Sequence, residues 1–487
     1  MSNVLARSKL VFLLSGVLLL SGVSSSEGFE QEGYATPDTI TQQVSPGQLK
    51  ESYTGFGLLP GGPKVYTTLT TRYRFRGNDY ATDHDFYQYL RAHTDQIKLG
   101  SGTLRLNAFA RFSEDLNGGD KKPGDSAVYY FYRDSLDTQR GHNKGAPRLY
   151  MATASFDNVI KNTTLNVGRV NLAHLNTFQL DGGDIRVKLG DALSVYGYGG
   201  KPVSYYYETD KDYTFGGGFT FKATKSTTLS AEYTRMHVKD YSNDYTKIRI
   251  DQLIPHGSLA VAFTMLDDAG TISGDASYEI PQSGTLLTAH AEGLLKNIND
   301  ENGYMFNPMT SVLGGESKYG KYSVSAYQPF MKHLAAGISY TGRTVSHEDY
   351  QNREYSNIRG KIDIYDLPIK NSYISFTMDY WDIKSTRVSR SNENLQYGVQ
   401  LSQKINDQID LWGGTAYNRY EHDTNIELNM DRERTHARSY YIGGQYQPIK
   451  QIALMTDLSI EDTDAYDSIS KDLNTNYKAE VWASILF

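Results

Sequence analysis

Tyr477-Lys478-Ala479-Glu480-Val481-Trp482-Ala483-Ser484-Ile485-Leu486-Phe487 closes the sequence. Taken two at a time, Tyr477, Ala479, Val481, Ala483, Ile485 and Phe487 fall on one side, and Lys478, Glu480, Trp482, Ser484 and Leu486 on the other. A period of two is that of a β-strand, whose successive side chains point to opposite faces. One side is apolar or aromatic throughout, the other opens with two charges, and the chain stops on phenylalanine with no polar tail. An ordinary buried C-terminal strand would alternate in the same way, so the remainder of the chain has to decide between the two.

It repeats the rule. Val65, Thr67, Leu69, Thr71, Tyr73 and Phe75 oppose Tyr66, Thr68, Thr70, Arg72, Arg74 and Arg76. An arginine turned toward lipid near the bilayer midplane costs ~2–4 kcal/mol, so a face carrying three of them must look into a wet interior. Leu104, Leu106, Ala108, Ala110 and Phe112 likewise oppose Arg105, Asn107 and Arg111, and Ile185, Val187 and Leu189 oppose Arg186 and Lys188. Ile358, Ile362 and Ile364 face away from Arg359, Lys361 and Asp363. A soluble β-sandwich need not carry this pattern through a whole chain without a helix. The expected fold is all-β, a transmembrane antiparallel β-barrel. The closing stretch resembles the last strand of Gram-negative outer-membrane β-barrels, which implies that Tyr477, Val481, Ala483, Ile485 and Phe487 are read by the outer-membrane assembly machinery.

Composition agrees. The 487 residues include 39 tyrosines and 44 glycines but 13 prolines. Mean hydropathy is negative, as for a barrel that turns only every second residue to lipid. Residues 1–26 have Arg7 and Lys9, an apolar core from Leu10 to Leu20 and a small-residue run ending at Ser26, the pattern of a signal peptide. That core is too short for a membrane anchor, which needs about 20 apolar residues. Residues 27–64, with Pro37, Pro46, Pro60 and Pro63, read as a periplasmic leader or a small stopper in the barrel mouth, and 65–487 as the barrel.

Connections should be short on the periplasmic side and longer outside. Short turns are expected at Lys98–Gly102, Gly190–Ala192, Ala223–Ser226, Pro255–His256, Pro281–Gly284, Pro329–His333, Pro368–Asn371, Lys404–Asp407 and Pro448–Lys450. Longer polar stretches lie between them, with one short connection near Asp267–Gly270 where a long one is due. The count is about 20–22 strands, 22 fitting best. Barrels near ~22 strands hold a plug, and this chain encodes no plug domain. The loop Ser113–Pro147 is long enough either to constrict the lumen or to stand outside it.

Arg72, Arg74, Arg76, Arg105, Arg111, Arg186, Lys188, Arg359 and Lys361 are the candidate pore-lining residues, since rings of Arg and Lys favour anions. Glu232, Asp363, Asp379, Asp457 and Glu461 also point inward, so these charges either form a basic stripe or pair across the lumen. The net charge of −7 disfavours nucleic acid as a partner. There is no cysteine, hence no disulfide, thiol nucleophile or c-type haem attachment, and no cofactor is expected. The 11 histidines show no metal-ligand spacing, and Gly-x-Ser-x-Gly is absent, which leaves an outer-membrane enzyme as a minor alternative.

In size, tyrosine-rich strands and the loop Gly200-Lys201-Pro202-Val203-Ser204-Tyr205-Tyr206, the chain resembles the porin-like barrels of bacterial extracellular-electron-transfer systems. That resemblance implies a barrel without a redox centre, partnered by multihaem cytochromes or lipoproteins, with oxyanion uptake in some relatives. Two functions stay open: an outer-membrane channel for small polar or anionic solutes, and a sheath for a cytochrome conduit. Both place the chain among the lipids of a Gram-negative outer membrane.

Overall fold

The computed structural model describes residues 56–57, 63–78, 82–116, 146–173, 177–203, 211–238, 241–297, 317–346, 353–384, 392–423, 432–463 and 475–487. The expected signal peptide and all but residues 56–57 and 63–64 of the expected leader lie outside them. Among the described residues there is no helix, and 22 long strands form one closed antiparallel barrel.

In chain order these are β1 (Lys64–Gly77), β2 (Thr82–Thr94), β3 (Gly102–Asp115), β4 (Ala146–Asp157), β5 (Thr163–Ala173), β6 (Thr177–Leu189), β7 (Leu193–Pro202) and β8 (Tyr213–Lys222). β9 (Thr227–Val238), β10 (Tyr241–Ile254), β11 (Gly257–Leu266), β12 (Ala269–Ile280), β13 (Thr285–Leu294), β14 (Tyr319–Met331) and β15 (Leu334–Val345) follow. The rest are β16 (Tyr355–Tyr365), β17 (Ser372–Ile383), β18 (Asn392–Lys404), β19 (Ile409–Asp423), β20 (Arg432–Ile449), β21 (Ile452–Thr463) and β22 (Thr475–Leu486). The short piece Ile97–Leu99 prolongs β2 along β3. Each strand pairs with its neighbours in sequence, and β22 returns to β1 with Ile485 opposite Leu69 and Val481 opposite Tyr73. Closure leaves no unpaired edge, which backbone in hydrocarbon cannot tolerate.

Register carries one face around the ring. Arg72 stands between Tyr87 on β2 and Trp482 on β22, so all three side chains share a side, as do Arg74, Asp85 and Glu480. On that side Asp85 and Asp363 are each 1 % exposed, whereas Val261, Ile338 and Ile442 on the other side are 53 %, 61 % and 64 % exposed. Side chains inside a cylinder converge and those outside splay, so the charged face is the inner one. The apolar face, from Leu106 and Phe112 to Val481 and Ile485, is the outer one.

Turns explain the register. The connection Gly190–Ala192 opens on a glycine with φ +73°, and the two-residue loop Pro255–His256 places His256 at φ +62°. Such conformations match the twist of hairpin strands. The short turn Asn158–Asn162, with both asparagines at positive φ, was not among those expected. It lacks the proline or glycine that marks most of the others.

The long-loop end also departs from expectation. Besides Asp267–Asp268, three other connections there are short, at 78–81, 174–176 and 239–240, so the alternation breaks four times rather than once. The expected loop Ser113–Pro147 is trimmed at both ends, because β3 runs to Asp115 and β4 starts at Ala146. Phe56 and Gly57, placed by sequence in an unstructured leader, pair with Val65 and Lys64. Lys296 bonds to the Asp268 carboxylate beside the base of one long connection and holds its carboxyl below the usual range.

Candidate functional site

The inner wall is where a charged face meets the enclosed space. All nine of the expected basic residues stand on it, by register: Arg72, Arg74 and Arg76 on β1, Arg105 and Arg111 on β3, Arg186 and Lys188 on β6, Arg359 and Lys361 on β16.

Most are not free charges. Arg72 bonds to Glu480, Arg74 to Asp85 and Arg76 to Asp83, each across one strand interval. Arg359 meets Asp379 at 2.8 Å and Lys361 meets Asp363 at 3.2 Å. The pairing therefore runs along the wall, between adjacent strands or, for Lys361 and Asp363, within one strand, and not across the lumen. Such pairs cancel most of the field that a row of arginines would project into the pore.

What remains uncompensated lies one strand further on. Arg91, Arg105 and Arg111 have no acidic partner among the described residues. Arg91 lies opposite Phe109 in register, so the three positions fall within the stretch Arg105–Arg111 of β3, roughly 20 Å of strand. Lys188, near the short-turn end, also lacks an acidic partner among the described residues. Sequence reasoning included Arg105, Arg111 and Lys188 but missed Arg91, because His84, Gln88 and Thr94 blur the alternation of β2.

Aromatic rings hold these arginines in place. Arg91 lies 4.8 Å from the Phe109 centroid, and Arg111 lies 5.6 and 5.7 Å from those of Tyr87 and Tyr150. Tyr89 stacks on Phe109 at 6.3 Å and Phe109 on Tyr150 at 5.0 Å. Each ring face attracts a guanidinium without neutralising it, so the charge is positioned and not cancelled. Nε and Nη2 of Arg111 are buried and have no hydrogen-bond partner among the described residues.

The remaining wall is braced by polar side chains. Tyr196 and Tyr198 of β7 pass over Gly218 and Gly216 of β8 and donate to Glu232 of β9 at 2.8 and 3.0 Å. A Cβ at Gly216 would stand 2.4 Å from the Tyr233 carbonyl oxygen and 2.5 Å from the Tyr198 hydroxyl, so both the ladder and the crossing require glycine. Trp412 of β19 likewise reaches over Gly443 to Asp457 of β21 at 2.8 Å. These contacts span three strands, with a glycine on the strand between.

One stretch of the inner face is apolar. Met236, Val238, Tyr245, Leu266, Ala269, Leu294 and Tyr319 form a buried cluster on β9–β14, and Val170, Leu172, Leu180 and Tyr198 a second. Inward polarity is thus not uniform, and the sequence pattern gave no signal of it at these strand ends.

Asp83, Asp85 and Asp115 bring three carboxylate oxygens within 4.8 Å of one another. Arg74 and Arg76 already hold two of them, which makes this a charge network rather than a cation cradle. His290 stands between Asp275 at 2.7 Å and Glu292 at 3.4 Å, with Lys321 beyond. Ser323 stands opposite it in register but is not hydrogen-bonded to it among the described residues.

No protein-family profile matches the chain, and no curated protein does. Among solved structures the chain is similar to Pseudomonas aeruginosa OccK1 (OpdK), at 9 % identity and TM-score 0.40, over 87 % of this chain and 98 % of that one. It is similar to P. aeruginosa OccK8 (OprE) at 11 % identity and TM-score 0.40, covering 89 % and 99 %, and to Acinetobacter baumannii OccAB1 at 11 % and 0.38, covering 87 % and 96 %.

Proposed function

We propose that this chain is an outer-membrane channel that passes small anionic solutes, oxyanions among them. The observation that carries the reading is the column Arg91, Arg105 and Arg111, without an acidic partner among the described residues on an inner wall whose other charges are largely matched. An arginine exposed in a confined lumen lowers the energy of an anion beside it and raises that of a cation. A wall of 22 strands is wide enough to enclose an aqueous path. Passage needs no cofactor, and residues 1–26 act in this reading as the signal for export.

The test is reconstitution of the purified chain in a planar bilayer under a potassium chloride gradient. A stable single-channel current with a reversal potential on the chloride side, shifted by added sulfate or phosphate, supports the proposal. No current from the chain alone, with a complex recovered only alongside a multihaem cytochrome, would favour the sheath instead.

A further inference from the structure

Arginine offers one edge above all to an acceptor with two oxygens, the parallel N–H groups of Nε and Nη2. Elsewhere in this protein that edge is filled. Arg169 gives it to the two oxygens of Asp181 at 2.7 and 2.6 Å, and Arg359 gives it to one oxygen of Asp379 at 3.1 and 2.8 Å. Arg74 and Arg76 use it on Asp85 and Asp83. At Arg111 both atoms are buried, and neither has a hydrogen-bond partner among the described residues. Among those residues no other arginine has both atoms in that condition.

The surroundings add donors and positive charge. Ser113, two residues on and on the same inner face, is 0 % exposed, and its hydroxyl has no partner among the described residues. Arg148 stands directly opposite Arg111 across the β3–β4 ladder, so two like charges share one register position, an arrangement that repels. Tyr87 and Tyr150 meet the Arg111 guanidinium through their rings and supply no acceptor to Nε or Nη2. Asp115, next on this face beyond Ser113, stands with Asp83 and Asp85 in the network of Arg74 and Arg76 and makes no ion pair with Arg111. Each buried donor left unmet costs about 1–3 kcal/mol, more where the group is charged. A water would satisfy a donor and leave both charges in place, whereas an oxyanion answers donors and charge together.

We propose that Arg111, Ser113 and Arg148 form a binding site for a single small oxyanion. Two of its oxygens accept from Nε and Nη2 of Arg111, one also accepts from Ser113 Oγ, and its charge offsets the repulsion between Arg111 and Arg148. The open edge sets the ligand class. Sulfate, phosphate or a carboxylate presents paired oxygens to the two parallel donors, whereas chloride brings one centre to a fork built for two. The site rests on the channel reading for the anion's approach along the inner wall, and it makes one member of the arginine column a place where the anion pauses.

The test is equilibrium dialysis of the purified full chain in detergent against radiolabelled sulfate at constant ionic strength. The wild type is expected to bind about one sulfate saturably. Phosphate or acetate should displace it at about tenfold lower concentration than chloride does, and the lower of their two midpoints says whether the site favours an inorganic oxyanion or a carboxylate. Arg111→Gln should weaken binding about a hundredfold, for two lost charge-assisted hydrogen bonds, and Ser113→Ala about fivefold, for one neutral bond. Arg111→Lys keeps the charge without the paired donors and should recover little of the loss. Lys332→Gln, which removes a charge from the turn between β14 and β15, should bind as the wild type does. No saturable binding, displacement by chloride as readily as by phosphate, or unchanged affinity in Arg111→Gln would each overturn the proposal. If Arg111→Gln does not fold, unchanged affinity in Ser113→Ala overturns it alone. Dialysis needs no open pore, so a chain that binds sulfate and passes no current would refute the channel and leave the site standing, and an anion-selective current without sulfate binding would do the reverse.

Discussion

Arg72 on the first strand and Glu480 on the last are bound to each other across the line where the barrel closes. They are 408 residues apart in sequence. Glu480 is 4 % exposed, and Lys478 approaches it from the other side at 3.4 Å. Trp482 lies 5.2 Å from the Arg72 guanidinium. The seam thus joins by charge as well as by backbone ladder, and its carboxylate serves two cations.

Glu480→Gln should destabilise the closed barrel by ~3–5 kcal/mol, because it strands a largely desolvated guanidinium. The check is the urea midpoint of the protein folded into lipid vesicles. The double variant Arg72→Met with Glu480→Met should recover much of the loss, since no lone charge is left. Equal midpoints for the wild type and Glu480→Gln would show the pair to be dispensable.

Tyr198 and Gly216 give a second test on the wall. Tyr198→Phe removes a donor to Glu232 and should cost about 1–2 kcal/mol. Gly216→Val should cost more, ~1–3 kcal/mol from overpacking alone, as its side chain meets the Tyr198 ring. The same urea titration reads both, and combined with Tyr198→Ala part of the valine penalty should be relieved while the part due to the Tyr233 carbonyl stays. A penalty undiminished in the Tyr198→Ala background would place its cause wholly in the backbone.

The two kinds of inner-face residue differ in how far sequence alone could take them. Alternation placed Arg72, Arg359 and Lys361 on the inner face because a period of two fixes the side of every residue once one is known. It could not say that Glu480 would sit beside Arg72, since that contact depends on which strands end up adjacent at closure. Hence the basic stripe looked continuous in sequence and is interrupted in space. Arg91 was lost for the opposite reason: Gln88 breaks the apolar pattern of its strand, and only the register with Phe109 puts Arg91 inside. Asn158–Asn162 escaped notice because asparagine at positive φ leaves a weaker mark than Pro or Gly.

At the C-terminus, Phe487 exchanges two backbone hydrogen bonds with Thr67, at 3.2 and 2.8 Å, while its side chain is 51 % exposed on the outer face. An exposed ring adds little to the folded barrel, and we propose that it acts in assembly. Phe487→Ala should lower the amount reaching the outer membrane several-fold. The same variant refolded into vesicles should match the wild type in urea midpoint within about 0.5 kcal/mol, as for other exposed positions. A matching loss in both assays would assign the residue to stability instead of recognition by the assembly machinery.

Ion preference separates paired from unpaired arginines. Arg91→Gln, Arg105→Gln and Arg111→Gln together remove three charges that no carboxylate answers among the described residues, and should reduce chloride-over-potassium permeability by about tenfold. Arg72→Gln with Glu480→Gln removes one charge of each sign and should leave the ratio nearly unchanged. Arg359→Gln with Asp379→Gln is the equivalent control on the far wall. Reversal potentials at 0.1 M and 1 M salt add a further check. The triple variant should differ most from the wild type at the lower salt, where the screening length is ~10 Å rather than ~3 Å. An effect of equal size from the neutral pair exchange would mean that wall charges act through the shape of the pore, and the anion reading of Arg91, Arg105 and Arg111 would fall.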